Sequence, residues 1–255
     1  MSAPDGRRRA PLLALDTSTM TAGLALYGAD GLLAETSWPA GRTQTTAILG
    51  EAARLLELSG LTPADLGGVA VAVGPGAFNG LRVGLSTAKG LCFSLGLPIF
   101  GIPTLDAVAY PHGRHGYPVR ATIVAGRGRF VSALYDWPEG TLQRLTEYEN
   151  TNLDGLAALI SGPTLVCGEL PQDRLGNWRE LAPDAIFTSS TLNSRRAGCL
   201  AELAWARYRR DEWDDPDTLE PVYLHGPPAG DAPPAQAAAV TPPAPTADCL
   251  PPVER

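Results

Sequence analysis

Residues 13–23 read LALDTSTMTAG: an aspartate, Asp16, closes an apolar run and is followed by three hydroxyls, Thr17, Ser18 and Thr19. A carboxylate and several hydroxyls on one tight turn are groups that can receive a phosphate and its metal. The hydroxyls and backbone N–H groups face the anion, and the carboxylate helps to hold the cation. The same residues also close a β-hairpin as an Asx- or ST-type turn with no ligand. Both readings stay open on these residues alone. A second candidate is 69–90, VAVAVGPGAFNGLRVGLSTAKG, an apolar run that enters a Gly-Pro-Gly turn and then a helical pattern. It is not a standard phosphate cradle. Gly80 is followed by Leu81 and Arg82 where a P-loop needs Lys and Ser or Thr, and Asn79 stands where a dinucleotide fingerprint needs its third glycine.

The remaining chemistry is sparse. The turn that would match Asp16–Thr19 in a second lobe is IVAGRGRFV, 123–131, which has no carboxylate. Arg127 and Arg129 can meet an anion but cannot hold Mg²⁺. Of three histidines, His112 and His115 sit in the loop-like PHGRHGYP, and no His-x-x-x-His pair exists. No Ser-His-Asp arrangement can be assembled from them. Cys92, Cys167, Cys199 and Cys249 are scattered with no C-x-x-C, so they read as reduced, mostly buried thiols. The expectation is a catalytic scaffold without its catalytic set: no catalytic residue, no metal site, and Asp16, Thr17 and Ser18 as a vestigial phosphate loop.

The helix after Gly-Pro-Gly carries more information than the loop. Gly80, Gly84, Ala88, Cys92 and Gly96 recur every fourth residue, which makes one ridge of small residues along which another backbone can approach. Packing on the 43–59 helix of the same chain accounts for part of the ridge. A helix laid on a sheet already buries one face, so a second small or apolar face must meet something else, for which another chain is one candidate. The candidate interface is Gly80, Leu81, Gly84, Leu85, Ala88 and Cys92, with Ile48, Ala52 and Leu55 of the preceding helix.

Those helices sit in a regular order of elements. Strands are expected over 12–16, 22–27 and 32–37, a helix over 43–59, a strand over 69–73, a helix over 79–95 capped by Asn79, a strand over 99–102 and a short helix from Thr104. The pattern recurs more weakly, with strands over 119–124, 130–137 and 141–148, a helix over 153–160, a strand over 164–167 and a helix over 194–209. The expected fold is α/β, a two-lobed actin-like (ribonuclease H-like, Hsp70-like) fold with duplicated βββαβα lobes. The expected division is a disordered 1–10, a first lobe over 11–110 with the partner-binding helices, a degenerate second lobe over 111–225 whose helix 194–210 is free to pack back on the first, and a disordered Pro/Ala-rich tail over 226–255. The 255 residues are 44% hydrophobic and 18% charged, which suits a folded core. Net charge −7 argues against a protein that grips nucleic acid with its own surface. No apolar run nears the roughly 20 residues of a membrane span, and Pro11–Leu15 behind Arg7–Arg9 is too short for a signal peptide, so a cytoplasmic location is expected.

LLALDTST (12–19), GPGAFNGLRVGLSTAKGL (74–91) and GLPIFGIPTLDAVA (96–109), in this order, resemble the TsaB (YeaZ) family, accessory subunits of the bacterial tRNA threonylcarbamoyladenosine machinery. LEPVYL at 219–224 adds a fainter likeness. The resemblance implies a non-catalytic scaffold that forms a heterodimer with TsaD and supports threonylcarbamoyl transfer to the adenosine beside the anticodon. It implies helix-on-helix packing through the two first-lobe helices, the TsaE ATPase as a further partner, tRNA as substrate of the complex, and ATP and a metal ion used by partner subunits, with no cofactor on this chain alone. A homodimer through the same face is an option for the isolated chain. The chain departs from the family at Arg42–Thr45, at Ala125–Arg127 and at Ala77, where a His-Ser-Glu-like start, an Asp-Ala-Arg and a Ser are common. The alternative is an actin-like ATPase or kinase that uses Asp16–Thr19.

Overall fold

The computed structural model describes residues 10–40, 44–113, 115–170 and 175–224. The expectations for 1–9, for the tail 226–255 and for Arg42, Thr43, His225 and Cys249 lie outside the described residues.

The first half runs β1 (Leu12–Asp16), β2 (Thr21–Gly28), β3 (Gly31–Pro39), α1 (Gln44–Leu58), β4 (Gly68–Gly74), α2 (Phe78–Leu95), β5 (Ile99–Pro103) and α3 (Thr104–Ala109). The second runs β6 (Val119–Gly126), β7 (Arg129–Asp136), β8 (Gln143–Arg144), β9 (Glu149–Asn152), α4 (Leu153–Ala158), β10 (Thr164–Gly168), α5 (Leu175–Leu181), β11 (Ala185–Phe187) and α6 (Ala197–Tyr208). The first sheet has the order β3-β2-β1-β4-β5. The second has β11-β10-β6-β7-β8, with β9 also on β7. β1 is antiparallel to β2 and parallel to β4, and β6 repeats this with β7 and β10. The two sheets share one topology, so the chain has the two-lobed actin-like fold.

Strand alternation decides which helix lies where. In β4, GVAVAVG, Val69, Val71 and Val73 point to one face with Leu13 and Leu15, and there α1 and α2 cover them through Ile48, Leu55, Leu56, Leu85 and Cys92. Ala70, Ala72 and Ala14 point to the other face. Their small side chains let α6 approach closely with its own Ala197, Ala201 and Ala204. α6 follows the second sheet in sequence yet completes the core of the first. α3 follows the first sheet and packs Leu105, Val108 and Ala109 on β6 and β7 of the second.

Two local expectations need correction, and one stretch without expected elements holds two. Asn79 does not cap α2: Ala77 is the N-cap, with no side-chain cap bond, and its N–H donates 2.6 Å to the Ser18 carbonyl. The single strand over 141–148 is the two short strands β8 and β9. Between them, Thr146 Oγ1 takes the Leu134 N–H (3.0 Å) in place of a ladder carbonyl. α5 and β11 fall in a stretch that reads as irregular. Glycine follows the ends of α1 and α2: Gly60 and Gly96 have φ of 66° and 64°, the left-handed backbone of a helix C-terminus. Among the described residues no helix is long and apolar enough to cross a membrane.

Candidate functional site: the inter-lobe cleft and the outer helix pair

The β1–β2 turn lies at the junction of the lobes, with Asp16, Thr17, Ser18 and Thr19 all buried. Asp16 Oδ1 accepts the Ser18 N–H at 3.0 Å and the Ser18 hydroxyl at 2.6 Å, an Asx-type turn. Thr17 Oγ1 donates 2.7 Å to the Gly80 carbonyl of α2. Thr19 Oγ1 donates to Glu169, which follows β10 in the second lobe. The turn after β4, which holds a cis Gly74–Pro75 bond, presses on the same backbone. A Cβ on Gly76 would overlap the Ser18 carbonyl, so glycine there serves close contact within the chain.

Sequence reasoning missed the residue that organises this junction. Arg195, in the loop before α6, places its side chain in the cleft at 5% exposure. Nη1 lies 3.2 Å from Asp16 Oδ1 and also donates to Ser18 Oγ, while Nη2 donates to the Thr21 carbonyl. Nε lies 3.7 Å from Glu169 Oε1, and Glu169 Oε2 accepts the Val124 N–H at 3.0 Å. No local pattern marks Arg195, because its partner Asp16 is 179 residues away in the chain. Two crevices flank the junction. One of about 220 Å³ is lined by Pro75, Gly76, Val124 and Leu224, and one of about 210 Å³ by His112, Asn193 and Arg195.

Reactive groups elsewhere are quiet. Burial pushes the Cys92 thiol up to about 12 and Cys199 up to about 11, and it raises Cys167 further. None is a thiolate at neutral pH. Burial also lowers the pKa of His112. Among the described residues no group of three or more His, Cys, Asp or Glu is placed to hold a metal.

The candidate interface needs correction. Ile48, Ala52, Leu55, Gly80, Leu81, Gly84, Leu85, Ala88 and Cys92 are all buried in this chain's own core. The small-residue ridge does admit a close neighbour, but that neighbour is the β1–β2 turn: a Cβ on Gly84 would overlap Thr17 Oγ1. The exposed apolar side chains of the helix pair are a different set, on its solvent side and flanks. Phe93 is 93% exposed, Leu58 73% and Leu49 54%. Gly50 and Gly90 have open space where a Cβ would stand. Both helices run back along the sheet from the ends of β3 and β4, so their C-terminal ends, Leu58 and Phe93, share one end of the lobe.

A family model described as TsaD: tRNA N6-adenosine threonylcarbamoyltransferase matches residues 39–171, more than half of the chain. The protein TsaB of Bacillus subtilis, described as a tRNA threonylcarbamoyladenosine biosynthesis protein, is 33% identical over 143 residues, 56% of this chain and 62% of that one. The chain belongs to this family, in its TsaB (YeaZ) branch.

An uncharacterized protein of Mycobacterium tuberculosis is 27% identical over 223 residues and covers 86% of this chain and 93% of its own. The structure of YeaZ from Pseudomonas aeruginosa superposes with a TM-score of 0.68 at 22% identity, covering 84% of this chain and all of that one. The fold is thus shared over the whole TsaB-type body. The chain spans less than two thirds of the length of the Bacillus subtilis relative.

Proposed function

We propose that this chain is the non-catalytic, scaffolding subunit of a tRNA threonylcarbamoyladenosine machinery, acting in the cytoplasm. It binds a TsaD homologue and supports threonylcarbamoyl transfer to the adenosine beside the anticodon, while the partners, including a TsaE-type ATPase, handle ATP and metal. The carrying observation is that α1 and α2 leave Leu49, Leu58 and Phe93 exposed on their solvent side and flanks, while their other apolar side chains cover the sheet beneath. Solvent-exposed large apolar groups beside open glycines suit a helix pair that another helix pair covers. The interface is therefore assigned to this outer face, one helix face away from the small-residue ridge. The cleft supports a non-catalytic role, since Asp16 is already ion-paired with Arg195 and the β6–β7 turn holds no carboxylate.

The test is co-elution of the purified chain with its TsaD homologue, with mass read by light scattering. A heterodimer is expected, and it should be lost in Phe93→Asp/Leu58→Asp while the thermal midpoint of the isolated chain stays as it was. Two proteins that never co-elute at micromolar concentration defeat the reading. A homodimer of the isolated chain that the same variant disperses places self-pairing on that face. For the rival ATPase, hydrolysis by the isolated chain that is lost in Asp16→Ala is the deciding signal.

A further inference from the structure

We propose that Arg195 is a built-in cation that closes the two lobes on each other, so that the closed state needs no ligand in the cleft. Asp16 belongs to the first lobe and Glu169 to the second, and both carboxylates face the same buried junction. Asp16 is buried and Glu169 keeps 24% of its side chain exposed. Two carboxylates this close to one junction favour a counter-charge, or one of them must give up its ionisation. In a metal-dependent phosphotransferase a divalent cation and its phosphate supply that balance. Here a guanidinium does. Its planar fork reaches several acceptors at once: Nη1 to Asp16 and Ser18, Nη2 to the Thr21 carbonyl, and Nε toward Glu169. Glu169 carries the link onward, accepting from Thr19 in the first lobe and from the Val124 N–H in the second.

The arginine is also firmly held. It lies two residues before α6, and α6 is packed on the first sheet through Ala197, Leu200, Ala201 and Ala204. One side chain from the second half of the sequence is thus bonded to the end of β1 and the start of β2 and ion-paired at 3.7 Å with Glu169 in the loop after β10. Opening the cleft would part Glu169 from Arg195 and Thr19 and leave it partly enclosed without its cation, while Asp16 keeps the guanidinium. Removing one partner of a buried ion network is far more disruptive than replacing the whole network with neutral groups.

Hydrogen exchange and small-angle scattering on the full chain test this. In the wild type, Mg²⁺ with ATP is expected to change neither the radius of gyration nor exchange at 17–21 and 122–125. In Arg195→Met, exchange at both segments is expected to accelerate by on the order of a hundredfold. Adding Asp16→Asn and Glu169→Gln to that variant is expected to restore most of the protection, because no charge is then left unpaired. If Arg195→Met does not accumulate as a folded protein, Arg195→Lys is measured: it keeps the charge but lacks the fork, and exchange at one of the two segments is expected to rise. Wild-type exchange at both segments in the variant that folds overturns the proposal, as does compaction or new protection of the wild type on adding Mg²⁺ and ATP. A role of Arg195 in folding alone would slow exchange in no variant and would leave the neutral triple variant as exposed as Arg195→Met.

Discussion

Asp106 of α3 carries a carboxyl group into the core of the second lobe, where the Tyr135 hydroxyl donates to it at 2.8 Å. Burial raises its pKa from 3.8 to about 6, against the smaller downward pulls of that hydrogen bond and of Arg144. The folded state therefore holds this proton more tightly than the unfolded chain does. Its stabilising contribution is complete below about pH 4 and is lost as pH rises through about 6. Asp106→Asn keeps an oxygen for Tyr135 and removes the titration. It is expected to raise stability by about 1–3 kcal/mol at pH 8 and to change little at pH 4, read from urea unfolding at the two values. A gain of equal size at both values counts against the burial argument. Arg120 shows the complementary solution: it is buried in the same sheet but answered by Glu149, by Ser132 Oγ and by the Leu159 carbonyl at 3.3 Å. Neither residue carries a signal in the sequence, because what makes it unusual is its neighbours, and those come from other strands.

At the scale of elements, α2 offers a comparison within one helix. Gly84 faces Thr17, and a Cβ there would overlap a hydroxyl already bonded to the Gly80 carbonyl. Gly90 faces open space. Gly84→Ala is expected to cost about 1–3 kcal/mol by overpacking, and Gly90→Ala to gain up to about 1 kcal/mol in helix propensity. Thermal midpoints moving in opposite directions check both, and equal shifts would mean that the ridge is not in contact with the turn. This contrast also shows what the sequence could tell. The four-residue period of small side chains announces close approach, and that inference holds. It carries no label for what approaches, which at Gly80 and Gly84 is the turn holding Thr17, 63 residues before Gly80. β1, β4, α1 and α2 are legible because their apolar periods are long and bounded by glycine or proline. β8, β9, β11 and α5 are short, or lie in stretches whose period is broken by polar residues, and tertiary pairing rather than pattern decides them.

At the scale of the molecule, the two lobes exchange helices. α3 leaves the first sheet to pack with Val119, Ala121, Ile123 and Val131 of the second. α6 leaves the second sheet to cover Leu12, Ala14, Ala25, Ala70 and Phe100 of the first. Neither lobe has a complete core without residues from the other half of the chain. A loss of α6 alone would expose a face built of Leu12, Ala14, Ala25, Ala70, Phe100 and Ile102, which α3 touches only through Ala107. The segment after α6 reinforces the tie. Asp214 accepts the Gly101 N–H at 2.7 Å and pairs with Arg207 at 2.9 Å, and the Val222 N–H donates 2.7 Å to the Val73 carbonyl beyond them. Leu224 then packs in the second-lobe core. Cooperative unfolding requires that opening one part remove the stabilising contacts of the other, and this arrangement imposes it in both directions. Calorimetry of the full chain is therefore expected to give one transition, with calorimetric and van't Hoff enthalpies in agreement. A chain restricted to 10–110 is expected to lack a cooperative transition, because the α6-facing side of its sheet is bare. Two resolved transitions in the full chain, or a cooperative transition in the isolated first half, would mean that the exchanged helices decorate two independent domains instead of completing one another's cores.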